Sequence, residues 1–362
     1  MKNLIGLDIG SYSVKLTNIK EKGGKFSLVN FGVLDISEEP VDSLDPSQKN
    51  ALILESIKKL FNETNVKTKE VGISLSGEQV IIRYIKLPFM SKEELKGVIK
   101  YEAEQYIPFN INQVVIDFSI LGEVTEEGQK KIEVLLIAVK EEVVNQYIAL
   151  LQSIGLDVGL IDVDCFAIQN SFEINYGKKE GETVALLNFG AKYTNLNILE
   201  DGITRFSRDI PIGGINLTRD IQREFNISFS EAEKLKREEG SIIIESEDIV
   251  LTRIPTKEDK SIRIFSSISP TLSKLMLEVR RAFDFYESTS KKRSISKILL
   301  SGGSSKLKNI DKFISERLRV PVEMHNPFTN IEIEDITSLD EKIKQLDLYM
   351  PVSVGLSIRR VK

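Results

Sequence analysis

One pattern of strands and glycine turns occurs twice in this chain, first from Leu4 and again from Thr183. In each copy a short apolar strand is followed by a glycine turn, two further strands and a helix, with Gly10 and Gly190 in the two turns. Apolar runs broken by glycine and polar residues are typical of strands joined by tight turns. Because repeats of one unit fold alike, the duplication predicts an α/β protein with two related lobes and a cleft between them.

Residues 88–160 interrupt this repeat and have a pattern of their own. Ser91 and Glu94 have the spacing of a capping box and predict the start of a helix, which Pro108 ends. Two strands and a second helix follow. The segment is therefore predicted to be an inserted subdomain of αββα type.

Composition and charge exclude several classes of function. The chain has 49 Lys and Arg against 54 Asp and Glu, and the two signs are interspersed, so nucleic acid is not an expected partner. The single histidine, His325, excludes multi-histidine zinc sites, and the single cysteine, Cys165, excludes disulfides within the chain. Asp8 comes too early for a signal peptide, and the longest uncharged stretch, Val143–Leu156, is too short to span a membrane. The expected location is the cytoplasm.

Each copy of the repeat has a tight turn between two strands, in Asp8-Ile-Gly10-Ser11 and in Asn188-Phe-Gly190-Ala191. Glycine lets backbone N–H groups approach a phosphate closely, so two facing hairpins could hold a polyphosphate. Neither a P-loop nor a GxGxxG motif opening a βαβ unit is present. From these residues alone an ordinary β-turn remains the alternative, because Asp and Gly are common in turns.

The order of motifs along the chain resembles that of the actin-like ATPase fold. The two hairpins correspond to its two phosphate motifs, and Gly302-Gly303-Ser304 corresponds to its adenosine motif. Within this superfamily, Lys92–Pro108 and the tract from Ile161 to Ala167 are similar to the type IV pilus assembly protein PilM family, a relative of the division protein FtsA. The resemblance runs nearly from end to end. It implies a duplicated two-lobe α/β fold with an inserted FtsA-type subdomain.

The resemblance also implies a division of the chain into subdomains, with residues 88–160 as the insert. The expected ranges are 1–87, 161–182 and 350–362 for the first lobe, 183–225 and 295–349 for the core of the second lobe, and 226–294 for its small subdomain.

Residue by residue, the resemblance implies a binding site for ATP and Mg²⁺. The amides of Gly10, Ser11 and Tyr12 would bind phosphate. Lys15 would reach the β- and γ-phosphates, and Asp8 would hold Mg²⁺ through water. The remaining contacts would come from the second hairpin, a loop of the second lobe, an AExxK helix and the adenosine motif: Asn188, Gly190, Ala191, Thr194, Gly213, Gly214, Glu233, Lys236, Gly302, Gly303 and Ser304.

The Glu233–Lys236 pair has an alternative interpretation, and Asn188 departs from the pattern of the superfamily. Glu233 and Lys236 alone would be read as a solvated charge pair three residues apart on a helix. Asn188 stands where the superfamily usually has Asp, and its amide brings no negative charge to Mg²⁺. Since no general base can be named beyond Asp8, ATP binding with at most slow turnover is expected, and no catalytic residue is assigned.

The resemblance implies a scaffold function. The expected partner is the short cytoplasmic tail of a PilN-like inner-membrane protein, bound in a groove between the first lobe and the inserted subdomain. Other proteins of the pilus platform, the assembly ATPases and further copies of this chain in a homo-oligomer or ring are also expected partners. The protein would thus be peripheral to the inner membrane through its partner, without direct insertion.

Two alternative functions belong to the same superfamily. An FtsA-like division protein shares the inserted subdomain, but such proteins usually end in an amphipathic membrane helix, and here the chain stops soon after Pro351–Leu356. A small-molecule kinase would need an acidic base near the hairpins. Asn188 replaces one candidate for that base.

Overall fold

The computed structural model describes residues 4–41, 44–244, 260–290, 293–333 and 343–359. The chain forms two compact units, one of Met1–Ser74 with Val158–Lys362 and the other of Leu75–Asp157. The parts of the predicted subdomains that lie outside the described residues are 1–3, 42–43, 245–259, 291–292, 334–342 and 360–362.

The regular elements are numbered along the chain. The strands are β1 (Ile5–Ile9), β2 (Ser13–Lys22), β3 (Lys25–Asp35), β4 (Glu70–Leu75), β5 (Val80–Pro88), β6 (Val114–Glu126), β7 (Gln129–Lys140), β8 (Asp157–Val163), β9 (Thr183–Phe189), β10 (Thr194–Glu200), β11 (Ile203–Ile210), β12 (Lys297–Ser301), β13 (Val322–Met324) and β14 (Ile331–Ile333). The helices are α1 (Pro46–Glu63), α2 (Lys92–Ala103), α3 (Glu141–Gln152), α4 (Asp164–Tyr176), α5 (Gly214–Phe225), α6 (Phe229–Glu239), α7 (Lys260–Thr289), α8 (Ile310–Leu318) and α9 (Pro351–Ser357).

The larger unit contains two sheets with matching topology. In the first, β1, β2 and β3 form an antiparallel meander, and β4 lies parallel to β1 on its other side. In the second, β9, β10 and β11 form the same meander, and β12 lies parallel to β9. The full strand orders are β14-β3-β2-β1-β4-β8 and β11-β10-β9-β12-β13. The predicted duplication into two lobes is therefore confirmed.

The start of helix α6 is fixed by side chains that cap it. The Ser228 hydroxyl accepts from the Glu231 amide, and the Glu231 carboxylate accepts from the Ser228 amide. This reciprocal capping box satisfies two of the N–H groups that have no partner within the helix. Because α6 begins at Phe229, Glu233 and Lys236 fall on one face of the helix.

Helices α4 and α9 connect the cores of the two lobes. A cluster of buried residues joins both helices to the second sheet, and its members are Ala167, Ile168, Phe172, Val184, Leu186, Leu199, Leu299, Val352 and Leu356. A second cluster joins α9 to the first sheet through Val354, which packs with Ile19, Leu28 and Phe31. The short helix α9 thus contributes to both cores. A Cβ at Gly355 would collide with the backbone of Ala167, so the two helices are in backbone contact there.

The smaller unit has its own sheet and core. Its three strands are antiparallel in the order β5-β7-β6, and Leu95, Ile99 and Ala103 of α2 cover one face. These residues recur every four positions and form the buried stripe of the helix. The helix α3 follows β7 directly. The element order is therefore β-α-β-β-α.

Two predicted boundaries differ from the structure. The inserted unit begins near Leu75, not at residue 88, because Val80–Pro88 pairs along its whole length with β7. Strand β14 pairs in parallel with β3, so Ile331–Ile333 lies in the first sheet although 295–349 was expected in the second lobe. The reason is apolar packing, since Ile331 and Phe328 join the cluster of the first sheet around Phe31.

Candidate functional site

Asp8 and Lys15 lie opposite each other on the first hairpin, between β1 and β2. The Lys15 Nζ is 3.2 Å from the Asp8 Oδ2 and donates to the Ser13 carbonyl oxygen at 3.2 Å. The two ionic side chains are only 13% and 12% exposed. A Cβ at Gly10 would lie 2.5 Å from Nζ, so glycine gives the ammonium room at this turn. The structure therefore holds one positive and one negative charge at the end of the first hairpin.

The glycine amides of both hairpins have partners within their own turns. Gly10 donates to the Ser13 oxygen at 3.1 Å, and Gly190 donates to the Tyr193 oxygen at 3.0 Å. The Thr194 hydroxyl is buried and donates to the Ile212 oxygen at 2.7 Å. These hydrogen bonds fix the shape of the two hairpins. The contact of the Gly10 amide with phosphate stays a prediction.

The loop before α5 lies against the second hairpin. The Gly214 and Ile215 amides donate to the carbonyl oxygens of Gly190 and Ala191 at 3.0 and 2.8 Å. A Cβ at Gly213 would collide with the Ala191 carbonyl group, which explains why glycine is needed at this approach. The Ser304 hydroxyl donates to the Gly190 oxygen at 2.9 Å. The structure thus brings three of the predicted segments together around the second hairpin.

Glu233 and Lys236 form a buried pair. The Lys236 Nζ is 2.6 Å from Glu233 Oε2 and donates to the Thr218 hydroxyl at 2.8 Å and the Gly214 oxygen at 3.2 Å. Each ionic side chain is 11% exposed. Burial alone would raise the pKa of Glu233, but the Lys236 charge and the hydrogen bonds from Lys236, Thr218 and Arg237 outweigh it and lower that pKa. The alternative of a solvated surface pair is therefore wrong.

Arg237 was not predicted from the sequence and connects the two lobes. Its Nε donates to Glu233 Oε1 at 2.8 Å, and its Nη2 is 3.2 Å from Asp35 Oδ2 at the end of β3. The guanidinium carbon lies 5.2 Å from the centre of the Tyr12 ring. Burial and then the Glu233 charge raise the pKa of Tyr12 to about 12. Its position in the sequence could have indicated this contact, because Arg237 lies four residues after Glu233 and such residues are neighbours on a helix.

The predicted adenosine turn follows β12. Gly302 has a φ of +92°, which favours glycine, and its amide donates to the Leu348 oxygen at 2.7 Å. A Cβ at Gly303 would lie 2.6 Å from Cε1 of Tyr349. The sequence did not predict this aromatic ring as part of the site. Tyr349 belongs to no recognised motif and is notable only for lying two residues before Pro351.

The two hairpins offer oxygen atoms of the kind that Mg²⁺ prefers as ligands. Within the described ranges, no group of three or more His, Cys, Asp and Glu side chains is placed to hold a metal ion. The Asp8 carboxylate and the Asn188 amide offer hard oxygen donors, which Mg²⁺ prefers, and Mg²⁺ in nucleotide sites takes its other ligands from water and phosphate. The residues therefore fit Mg²⁺ that arrives together with a nucleotide.

His325 and Cys165 lie away from solvent. His325 is fully buried, with its Nε2 3.3 Å from the Ser171 hydroxyl, and burial raises the pKa of the Cys165 thiol. No helix in the parts of the chain that the structure describes is long and apolar enough to cross a membrane.

Comparisons with known proteins give a consistent result. The family model described as type IV pilus assembly protein PilM matches residues 6–361. One chain of the solved PilM-PilN type IV pilus biogenesis complex is 26% identical in sequence to this chain. Its TM-score is 0.83, over 99% of this chain and 98% of that chain. MreB 5 of Spiroplasma citri, solved with AMPPNP bound, is 15% identical, with a TM-score of 0.52 over 99% and 96% of the two chains. The cell division protein FtsA of Staphylococcus epidermidis is 22% identical over 351 residues, 89% of this chain and 74% of the relative. These similarities confirm the actin-like ATPase fold.

Proposed function

Since the chain belongs to the type IV pilus assembly protein PilM family, we propose that it is an ATP-binding scaffold of the pilus assembly machinery at the inner membrane. In this role it binds ATP with Mg²⁺ between its two hairpins and the cytoplasmic tail of a PilN-like membrane protein. The observation that carries the proposal is the likeness to the solved PilM-PilN complex, which covers nearly the whole of both chains. The family match also favours this function over the division-protein alternative.

The first hairpin supports the nucleotide part of the proposal. Lys15 and Asp8 are already paired at 3.2 Å and shielded from solvent, so little side-chain entropy remains to be lost when a ligand binds. With ATP and Mg²⁺ present, the Lys15 ammonium would bind phosphate and the Asp8 carboxylate would bind water on the metal. The amides of Ser11 and Tyr12 would be the backbone donors.

The second lobe would hold the nucleoside. Glu233 and Lys236 are fixed by buried hydrogen bonds, and the ring of Tyr349 faces Gly303. Ribose hydroxyls would bind the ionic pair, and adenine would lie near the turn formed by Gly302 and Gly303. Gly190 and Thr194 would shape the second hairpin, and the other predicted contacts of this lobe would come from Asn188, Ala191, Gly213, Gly214 and Ser304.

Binding rather than rapid hydrolysis is proposed. Fast phosphoryl transfer to water needs a group that orients or activates the water, together with charge stabilisation of the transferred phosphoryl group. Asn188 provides an amide where a carboxylate would help to hold the metal. The nucleotide would therefore act mainly by setting the arrangement of the lobes.

The partner would reach the protein from the membrane. The inserted unit exposes Phe89, Tyr101 and Val115, which are 54%, 79% and 47% accessible to solvent. Exposed apolar side chains are the anchors on which short peptides dock, so this unit is proposed to share in binding the tail. The protein itself would stay in the cytoplasm and be peripheral to the inner membrane through this partner.

Calorimetric titration tests both parts. With ATP and Mg²⁺, Lys15→Ala should weaken binding strongly, whereas the matched control Lys20→Ala, exposed on the same strand, should bind as the wild type does. Equal affinity of the two variants would remove Lys15 from the site. For the partner, a synthetic N-terminal tail of the PilN-like protein from the same genome should bind and a scrambled peptide should not. Equal binding of both peptides would contradict the scaffold function.

A further inference from the structure

Four polar side chains form a row across the second sheet, beside the second hairpin. Ser301 of β12 is in register with Asn188 of β9, Asn188 with Asn195 of β10, and Asn195 with Asp209 of β11. Residues in register on adjacent strands place their side chains side by side on the same face. The row therefore runs from the strand that precedes the adenosine turn to the far edge of the second meander.

The row lies on the sheet face that carries α4 and α9. Side chains alternate between faces along a strand, so Asn188 shares a face with Val184 and Leu186, which pack against these helices. Asn197, two residues beyond Asn195, donates to the Cys165 oxygen of α4 at 2.9 Å. Since α9 also packs on the first sheet, this is the side of the second sheet on which the first lobe lies.

The hydrogen bonds in the row have a defined direction. The Asn195 amide donates to Asp209 Oδ1 at 2.6 Å, and the Asn188 amide donates to Asn195 Oδ1 at 3.0 Å. A carboxylate can only accept, so Asn195 must turn its NH₂ group toward Asp209 and its oxygen toward Asn188. Asn188 must then turn its own NH₂ group toward Asn195. Its Oδ1 is left on the opposite side, 3.4 Å from the Ser301 hydroxyl.

This direction matters because an amide has two unlike ends. An aspartate at position 188 would present an oxygen whichever way its carboxylate turned, whereas an asparagine can present either an oxygen or two positively polarised hydrogens. Only the oxygen can accept a hydrogen bond from water bound to Mg²⁺. A site that uses Asn188 beside a cation therefore needs something that holds the amide one way round.

We propose that Asp209 is a positioning residue of the Mg²⁺–nucleotide site, acting through Asn195 to fix the Asn188 amide with its oxygen available to the cation. This inference rests on the proposed nucleotide binding. The hydrogen bond to Asp209 involves a charged acceptor, which makes it the strongest in the row. Groups that orient a metal-binding side chain from outside the first ligand shell typically change metal affinity by about 10- to 100-fold.

The test compares two substitutions at one position in the full chain. Asp209→Leu removes the acceptor, whereas Asp209→Asn keeps an acceptor oxygen in a side chain of the same size. ADP is titrated into each protein by calorimetry, once with Mg²⁺ and once with EDTA. Asp209→Leu should lose about tenfold of the affinity that Mg²⁺ adds while keeping the wild-type affinity in EDTA. Asp209→Asn should keep most of the gain from Mg²⁺.

Coupling to Asn195 provides an independent readout. Asn195→Leu should cause the same loss of the gain from Mg²⁺, and the double variant should lose no more than either single variant, as expected of residues acting in series. Arg208→Leu is the matched control because Arg208 is adjacent to Asp209 and its exposed side chain points to the other face of β11. Asp209→Ala, which adds no bulk, replaces Asp209→Leu should that protein not fold.

Several outcomes would overturn the inference. One is an Asp209→Leu protein whose ADP affinity rises with Mg²⁺ as much as that of the wild type, or whose ADP affinity falls equally in EDTA. Another is an Asp209→Asn protein that loses as much of the gain from Mg²⁺ as Asp209→Leu does. A third is a double variant in which the losses from Asp209→Leu and Asn195→Leu add in full. A wild-type protein that binds ADP equally well with Mg²⁺ and with EDTA would also overturn it, but would leave nucleotide binding standing. Only a wild-type protein that binds no nucleotide would count against the proposed function itself.

Discussion

The guanidinium of Arg237 lies 3.2 Å from the carboxylate of Asp35 and joins helix α6 of the second lobe to strand β3 of the first. The same guanidinium holds Glu233, so one side chain links the buried pair of the second lobe to the first hairpin through Tyr12. Burial opposes the charged form of Arg237, but its hydrogen bond to Glu233 and the Asp35 charge outweigh it and raise the pKa of the guanidinium. This contact between the lobes is therefore ionic and partly open to solvent, unlike the apolar packing around α9.

Asp35→Asn is expected to lower the free energy of unfolding by less than about 1 kcal/mol, because ion pairs this exposed are screened by water. Arg237→Gln should cost more, since it also removes a partner from Glu233. A double-mutant cycle by urea unfolding should give a coupling energy of about 0.2–1 kcal/mol between the two positions. A coupling energy indistinguishable from zero would show that the pair does not hold the lobes together in solution.

Lys236→Met is expected to destabilise the protein by about 1–3 kcal/mol, because Glu233 would lose its closest cation while remaining buried and would keep only the hydrogen bonds from Arg237 and Thr218. Replacing both members, as in Glu233→Leu with Lys236→Met, should cost less than the single Lys236 change. Urea unfolding measures both. Lys234→Met, on the exposed side of the same helix, is the control and should stay within about 0.5 kcal/mol of the wild type. If the double variant is the less stable one, the pair contributes more than its burial costs.

His325 is expected to make the protein sensitive to acid. Burial lowers the pKa of its imidazole to about 3, against about 6.5 in the unfolded chain, so the unfolded chain takes up the proton first. The stability that depends on neutral His325 is complete above about pH 6.5 and is lost at about 1.4 kcal/mol per pH unit as the pH falls toward 3.

His325→Asn removes this titration, and no other histidine is present in the chain. The unfolding free energy of the wild type should therefore fall relative to that of the variant as the pH is lowered from 7 to 5. Chemical unfolding at several pH values measures this difference. Parallel curves for the two proteins would mean that His325 is protonated equally in both states.

Two glycine substitutions should act in opposite directions. Gly97 lies within α2, and an added Cβ there would meet no atom within 4 Å beyond its chain neighbours and the backbone of its own helix, so Gly97→Ala should stabilise the inserted unit by up to about 1 kcal/mol. Gly213→Ala should destabilise the larger unit by about 1–3 kcal/mol, because its Cβ would collide with the Ala191 carbonyl group. Hydrogen exchange read separately in α2 and in β9 distinguishes the two units. Protection that rises in both variants would contradict the packing described at Gly213.

The sequence was enough to predict features that depend on local order. The duplicated meanders follow from apolar runs and glycine turns, and the capping box at Ser91 marks the start of α2. The limits of the insert were not predictable in this way. Val80–Pro88 reads as a strand in either unit, and only its pairing with β7, about 50 residues away in the chain, decides the question.

Part of the site was also outside the reach of sequence reasoning. Asp35 and Tyr349 have no motif of their own, because only the folded chain brings them to Arg237 and Gly303. Arg237 lies four residues after Glu233 on the same helix, but one such charge pair is common on helices and marks no site. Asp209 gave no signal either, since its relation to Asn188 passes through the register of three strands. Residue type and spacing therefore located the hairpins, whereas the groups that orient their side chains required the fold.

The backbone contact of α4 with α9 at Gly355 constrains how the two lobes can move relative to each other. Pulling the two sheets apart at this crossing would expose the apolar clusters on both sides of α9 to water, at about 25 cal/mol for each Å². Turning one sheet relative to the other about the same crossing would leave these clusters closed. Motion between the lobes is therefore expected to be a swing about a fixed axis at the two helices, with the largest displacement at the points farthest from them.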